Sequence, residues 1–123
     1  MNKLAGLSAV IAAFVLLAGS GAAHAGAMDE EIDYLLNTVG ASGCTFIRNG
    51  KRYAAPDAQE HLQTKRKRGK RYFSSADEFI EKIASKSSMS GKPYLIQCTD
   101  GREQPSGEWF AALLAKYRNQ TTS

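Results

Sequence analysis

Thiols, imidazoles and prolines are scarce in this chain: its 123 residues include two cysteines, two histidines and three prolines. One histidine, His61, lies beyond the first 25 residues, and no carboxylate cluster has a recognisable spacing, so a zinc site lacks its ligands. No metal or cofactor is expected. The Asp100-Gly101 turn has none of the alternating oxygen ligands of a calcium loop. There is no G-x-S-x-G elbow and no S-x-x-K. The loop over 84–94 departs twice from a phosphate-cradling P-loop, with Lys86 where the first glycine belongs and Pro93 where the metal-binding Ser or Thr belongs. Internal repeats and linkers are also missing. What catalysis remains open would have to use His61 as a base.

Long apolar runs are equally rare, and the single one lies at the start. Lys3 precedes an uncharged stretch from Leu4 to Ala18, small residues follow, and Ala23-His24-Ala25 has the small-x-small pattern of a signal peptidase site. A spanning helix needs about 20 predominantly apolar residues, and this run breaks at Gly19-Ser20-Gly21. Residues 1–25 are therefore expected to be a cleaved secretory signal, with no transmembrane segment after it. Ser20 stands where a lipoprotein would need its cysteine, so no lipid anchor is expected. Residues 26–123 then form one domain of ordinary size. In an exported chain the even pair Cys44 and Cys98 is expected to be a disulfide.

The remaining chain reads as α+β. Ile32, Leu35, Leu36 and Val39 recur at i, i+3, i+4 and i+7, which predicts a helix over Asp29–Val39. Asp29, Glu30 and Glu31 suit its first turn, and Gly40 is the expected left-handed stop. Asn49-Gly50 predicts a type I′ hairpin that sets Arg48 opposite Lys51, Ile47 opposite Arg52 and Phe46 opposite Tyr53. A second helix is expected from Pro56 to Gly69. Its apolar face is thin, Ala58 and Leu62, with His61 and Lys65 on a neighbouring face. Ser75-x-x-Glu78 is a capping box opening a third helix, which turns Ala76, Phe79, Ile80 and Ile83 inward. Pro93 introduces a strand over Tyr94–Cys98; if Cys44 opposes Cys98, Phe46 meets Ile96 and Arg48 meets Tyr94. Ser106 starts a last helix with Trp109, Phe110, Leu113, Leu114 and Tyr117, and the tail from Asn119 is expected to fray. The expected domain is a three-stranded antiparallel sheet with about four helices packed mainly on one face.

Charge is unevenly placed. The formal net charge is +4; losing Lys3 with the signal takes the basic residues from 16 to 15, against 12 acidic ones. Lys65, Arg66, Lys67, Arg68, Lys70 and Arg71 crowd into one short tract. Nucleic acid is not an expected partner, because little of it meets an exported protein and the aromatic interleaving of a single-strand binder reduces to Tyr72 and Phe73. Envelope polyanions are within reach, at about 1 kcal/mol per basic residue near an anionic surface. The competing reading is a solvated corner at a helix C-terminus, where cations are favourable on electrostatic grounds alone. The serine-rich loop before Lys92 is either a turn of small residues or a cradle of backbone N–H groups for an anion.

The segments FIRNGKRY (46–53), AxxHL (58–62), AxxFIxxIASKSSMSGKPY (76–94) and QPSGEW (104–109) together resemble the YfeK-like family of small exported proteobacterial proteins, a domain of unknown function. The likeness covers nearly all of the chain beyond residue 25. It implies a periplasmic location and brings no activity, ligand or cofactor with it. Asn49 and Gly50 are explained by turn duty. Arg48, His61, Ser88, Ser90, Lys92 and Tyr94 are the candidate ligand-binding residues, and no catalytic residue is assigned. The expected function is non-catalytic binding of an anionic envelope ligand or a periplasmic partner protein. The alternatives are a small envelope hydrolase with His61 as general base, or an inhibitor or accessory subunit of a periplasmic enzyme.

Overall fold

The structure, a computed structural model, describes residues 26–122; the leader expected over residues 1–25 lies outside them. The elements in order are α1 (26–41), β1 (Thr45–Arg48), β2 (Lys51–Tyr53), α2 (Ala55–Arg68) and a 3₁₀ turn (Lys70–Tyr72). Then come α3 (Ala76–Phe79), running on into a π turn (Ile80–Ala84), β3 (Leu95–Gln97), β4 (Glu103–Pro105) and α4 (Ser106–Thr122). The fold is α+β around a four-stranded antiparallel sheet of order β2-β1-β3-β4.

The Asn49-Gly50 turn has φ of 51° and 81° at its two central residues, the positive values that a type I′ loop requires. It sets the register Phe46–Tyr53, Ile47–Arg52 and Arg48–Lys51. β3 aligns Ile96 with Phe46, and Cys44 is bonded to Cys98, both as anticipated. The expected three strands are four, because β4 adds to the far edge of β3. Its three residues, Glu-Gln-Pro, carry no apolar alternation, and a proline is admitted because no strand among the described residues pairs beyond this edge. The turn makes the strand: Gly101, at φ 78°, donates its N–H to the Cys98 carbonyl at 2.9 Å and folds the chain back. Arg52 then reaches Gln97 at 2.8 Å and Glu103 at 3.1 Å, a polar ladder across three strands.

The core follows the apolar stripes. Ile32, Leu35, Leu36 and Val39 of α1, Leu62 of α2, Phe79 and Ile83, Phe46 and Ile96 of the sheet, and Phe110 and Leu114 of α4 are buried in one cluster. Burial of each such side chain contributes about 1.5–3 kcal/mol. Ser75 accepts the Glu78 N–H at 3.1 Å, as a capping box requires, but the Glu78 carboxylate reaches back to the N–H and hydroxyl of Ser74 instead of Ser75. Those bonds and Lys82 hold the Glu78 carboxyl below its ordinary range.

Two expected boundaries move. Gly40 does not stop α1, which continues through residue 41; the left-handed residue is Gly43, at φ 72°. A Cβ on Gly40 would collide with the Gln59 side chain of α2, so this glycine serves close approach of two helices, not termination. The tail expected to fray from Asn119 is helical through Thr122. Arg118 accounts for it: the guanidinium donates to Glu31 of α1 at 2.7 and 2.9 Å and to Asp77 of α3 at 2.9 Å. Bidentate pairing of this kind is the strong form of an ion pair.

Candidate functional site

Lys65 ties the C-terminal half of α2 to the π turn. Its ammonium donates to the carbonyls of Ile83 at 2.8 Å and Lys86 at 2.9 Å, and to the Tyr94 hydroxyl at 2.9 Å. A π turn departs from the regular helical ladder, and here its Ile83 carbonyl serves Lys65. Tyr94, just before β3, is 1% exposed, and its ring packs on Phe46 with centroids 5.0 Å apart. Its hydroxyl also lies 3.3 Å from His61 Nε2. An ammonium can only donate, so the phenol accepts from Lys65, and its own proton is available to a neutral imidazole in the tautomer that leaves Nε2 bare. His61 and Lys65, one helical turn apart, thus converge on one hydroxyl.

The charge states follow from crowding. Burial, then the charges of Arg48 and Lys65, hold His61 down to about 4. Burial, then Arg48, brings Lys65 down to about 8. Burial also raises the Tyr94 phenol. At neutral pH the imidazole is therefore uncharged and Lys65 largely protonated.

These groups border a cavity of about 640 Å³, within the size range of small-molecule sites. β1 and its turn contribute Arg48 and Asn49; α2 contributes His61, Lys65 and Arg68; Gly69 and Tyr72 follow. Lys82 and Ile83 come from the π turn, Ser87, Ser88 and Met89 from the serine-rich loop, and Tyr94 completes the lining. Arg48, Lys65, Arg68 and Lys82 are cationic, and no lining residue is Asp or Glu. Arg48 places one N–H on the Tyr53 hydroxyl at 2.9 Å, its guanidinium 4.9 Å from that ring's centroid. Arg68 has no ion-pair partner among the described residues. Lys82 is drawn toward Glu78, at 3.5 Å.

Of the residues singled out from sequence, Arg48, His61, Ser88 and Tyr94 line the cavity, whereas Ser90 and Lys92 do not. The Ser90 hydroxyl donates to Asn49 Oδ1 at 2.7 Å, and Asn49 Nδ2 donates to Ser87 Oγ at 3.4 Å. Asn49, expected to do turn duty alone, therefore also latches the serine-rich loop to the hairpin. Lys92 is exposed, with its N–H on Ser90 Oγ at 3.2 Å.

The basic tract divides. Lys65 and Arg68 face the cavity. Arg66 pairs with Asp33 at 2.7 Å and Asp29 at 3.4 Å, and with Lys67 and Lys70 it borders a separate depression of about 510 Å³. Arg71 stacks over the Tyr72 ring, 5.4 Å from its centroid. Sequence pattern marks Lys65 and Arg68 only as members of the basic tract, not as a hub or a cavity wall, and does not mark Lys82 at all. A signal for the first two existed: His61, Lys65 and Arg68 recur at i, i+4 and i+7, a polar stripe beside the apolar Ala58 and Leu62. Lys82 belongs to no such pattern.

His61 as a general base takes a different form from the one expected. Its hydrogen-bond partner among the described residues is a phenol, and no carboxylate orients the ring as a triad would require. An acid limb in any activity would fall near pH 4, not near the ordinary histidine value of about 6.5. Among the described residues no group of three or more His, Cys, Asp and Glu could hold a metal. No helix there is long and apolar enough to cross a membrane.

An α+β chain with a cationic, carboxylate-free cavity is what the fold and site define, and the chain belongs to a family of unknown function, DUF5329, whose model matches residues 26–118. It is similar to the uncharacterized protein YfeK of Salmonella typhimurium strain LT2, at 36% identity over 67 residues. That match spans 54% of this chain and 56% of the relative, little more than half of either. No solved structure matches significantly. The resemblance carried by the RNGKRY and SGKPY segments therefore holds, and it assigns no chemistry.

Proposed function

We propose that this chain is a non-catalytic binding module of the bacterial envelope, and that it captures an anionic ligand in the cavity between α2, the π turn and the serine-rich loop. The observation that carries the reading is the lining: Arg48, Lys65, Arg68 and Lys82 surround the space with no carboxylate among them. Like charges gathered in a partly dry pocket disfavour their own protonated forms, as the lowered His61 and Lys65 values reflect, and an anion relieves that cost. Lys65 already makes three hydrogen bonds, so it supplies field more than contact. N–H groups left for a ligand include those of Arg68 and the remainder of Arg48, planar forks that suit phosphate, sulfate or carboxylate oxygens, and Lys82 keeps donors beyond its pairing with Glu78. The envelope location is supported by the leader-like residues 1–25 and by a disulfide of the kind that persists in oxidising compartments.

The test is calorimetric titration with inorganic phosphate and sulfate at low and at physiological salt. Binding weakens as salt rises, because part of the attraction is screened. Arg48→Gln and Arg68→Gln each loosen it about tenfold, a charge-assisted hydrogen bond contributing roughly 1.5 kcal/mol. Lys92→Gln, outside the cavity, leaves affinity unchanged. Binding that ignores both salt and the two arginines would sink the reading.

A pH dependence follows with a definite sign. Sulfate keeps its charge through the acid range, so it isolates the protein's protons. A bound dianion raises His61 from its depressed free value, and the complex takes up a proton. Affinity for sulfate should therefore grow as pH falls from about 6.5 toward about 4, by at most about tenfold per pH unit, and level off below about 4 where free His61 is already charged. Calorimetry in buffers of differing ionisation heat reads the proton directly; a flat profile contradicts a place for His61 beside the ligand.

A further inference from the structure

The geometry points to an amphipathic ligand: a single alkyl chain ending in a phosphate monoester, with the headgroup among the cations and the chain along the cavity mouth. This rests on the anion-binding reading above and names its substrate class. Two large apolar side chains are strongly exposed among the described residues, Tyr72 at 57% and Met89 at 98%. They come from different segments, the 3₁₀ turn and the serine-rich loop, yet both line this one cavity. Singly scattered exposed hydrophobics need no explanation; convergence at a cationic opening does. Neither residue belongs to the buried core cluster; Arg71 stacks on the Tyr72 ring, and no core contact fixes Met89. Ile83 adds apolar surface to the same lining. A methionine, with three rotatable bonds and a polarizable sulfur, conforms readily to an alkyl chain, and a tyrosine offers an apolar ring with a polar tip.

Charge selects the headgroup. A phosphate monoester carries about 1.5 to 2 negative charges at neutral pH and three acceptor oxygens. That suits two guanidinium forks within a cationic lining better than a lone carboxylate does.

The experiment titrates alkyl phosphates from ethyl to octyl, monomeric and below their micelle concentrations, into the folded disulfide-bonded protein. Inorganic phosphate, alkyl carboxylates of matched length and vesicles carrying a phosphate-monoester lipid run alongside. Affinity should rise by up to about fourfold per methylene over the first few carbons and then plateau where the chain leaves the mouth. Met89→Ser and Tyr72→Ser should flatten that dependence while leaving inorganic phosphate binding unchanged, and Arg68→Gln should weaken every phosphate about equally. Inorganic phosphate bound with no gain from the chain overturns this inference and leaves the anion reading standing; failure of every anion to bind overturns both. Carboxylates bound as tightly as phosphates overturn the headgroup assignment. Vesicles bound while monomers are ignored overturn the inference as well, since a surface would then be the target.

Discussion

Removing the Cys44–Cys98 bond, by reduction or in a Cys44→Ala/Cys98→Ala variant, is expected to lower the melting temperature by roughly 20 °C. The two positions are 54 residues apart, and the loop they close contains β1, β2, α2, the 3₁₀ turn, α3 with its π turn, and β3. Closing a loop of that length takes about 4 kcal/mol from the unfolded ensemble in the chain-entropy description. At this chain length each kcal/mol displaces the midpoint by about 4–8 °C. The backbone ladder between β1 and β3 also aligns Phe46 with Ile96, so the variant at low temperature is expected to keep the fold and, with it, the anion affinity proposed above. A midpoint within about 5 °C of the parent would reject the loop-entropy account.

Lys65→Met is expected to do two things at once: destabilise the fold by about 2–3 kcal/mol and raise His61. Methionine keeps most of the stem volume, so the loss is not that of a cavity. It strips a donor from the part-buried Ile83 carbonyl and Tyr94 hydroxyl, where an unsatisfied acceptor costs about 1–3 kcal/mol, and from the Lys86 carbonyl, which is exposed and can turn to water. Relief of ammonium desolvation offsets part of that sum. His61 meanwhile loses one of the two charges that depress it, so its value climbs above about 4 while burial and Arg48 keep it under the ordinary 6.5. Denaturant melts read the first effect and an NMR titration of the imidazole reads the second. If stability and His61 both stay where they are, Lys65 is not the hub.

Why some of this was legible in the sequence and some was not comes down to the range of the forces involved. Asn49-Gly50 is a local constraint and Cys44–Cys98 a covalent one; together they set the register of three strands before any packing is considered. That register places Arg48 beside Tyr94, and the shared motif adds His61 to the candidates without placing it. β4 was illegible because three polar residues become a strand only when the edge of β3 is there to receive them. The π turn was illegible for a similar reason: it keeps Ile80, Ile83 and Ala84 all buried, which no local propensity announces. Lys65 was hidden by its neighbours. A lysine inside a basic tract reads as solvated, and the three acceptors that turn it inward lie 18, 21 and 29 residues away in sequence.

The latch at Asn49 joins two properties that usually vary apart. A Gly at this position would satisfy the same positive φ and leave the hairpin intact, yet the tether to Ser87 and Ser90 would vanish, leaving the loop that bears Met89 to its own bonds between Ser87, Gly91 and Lys92. Asn49 thus fixes the hairpin register and also holds part of the cavity wall, so Asn49→Gly would separate the two, altering the wall while the sheet stays as it is.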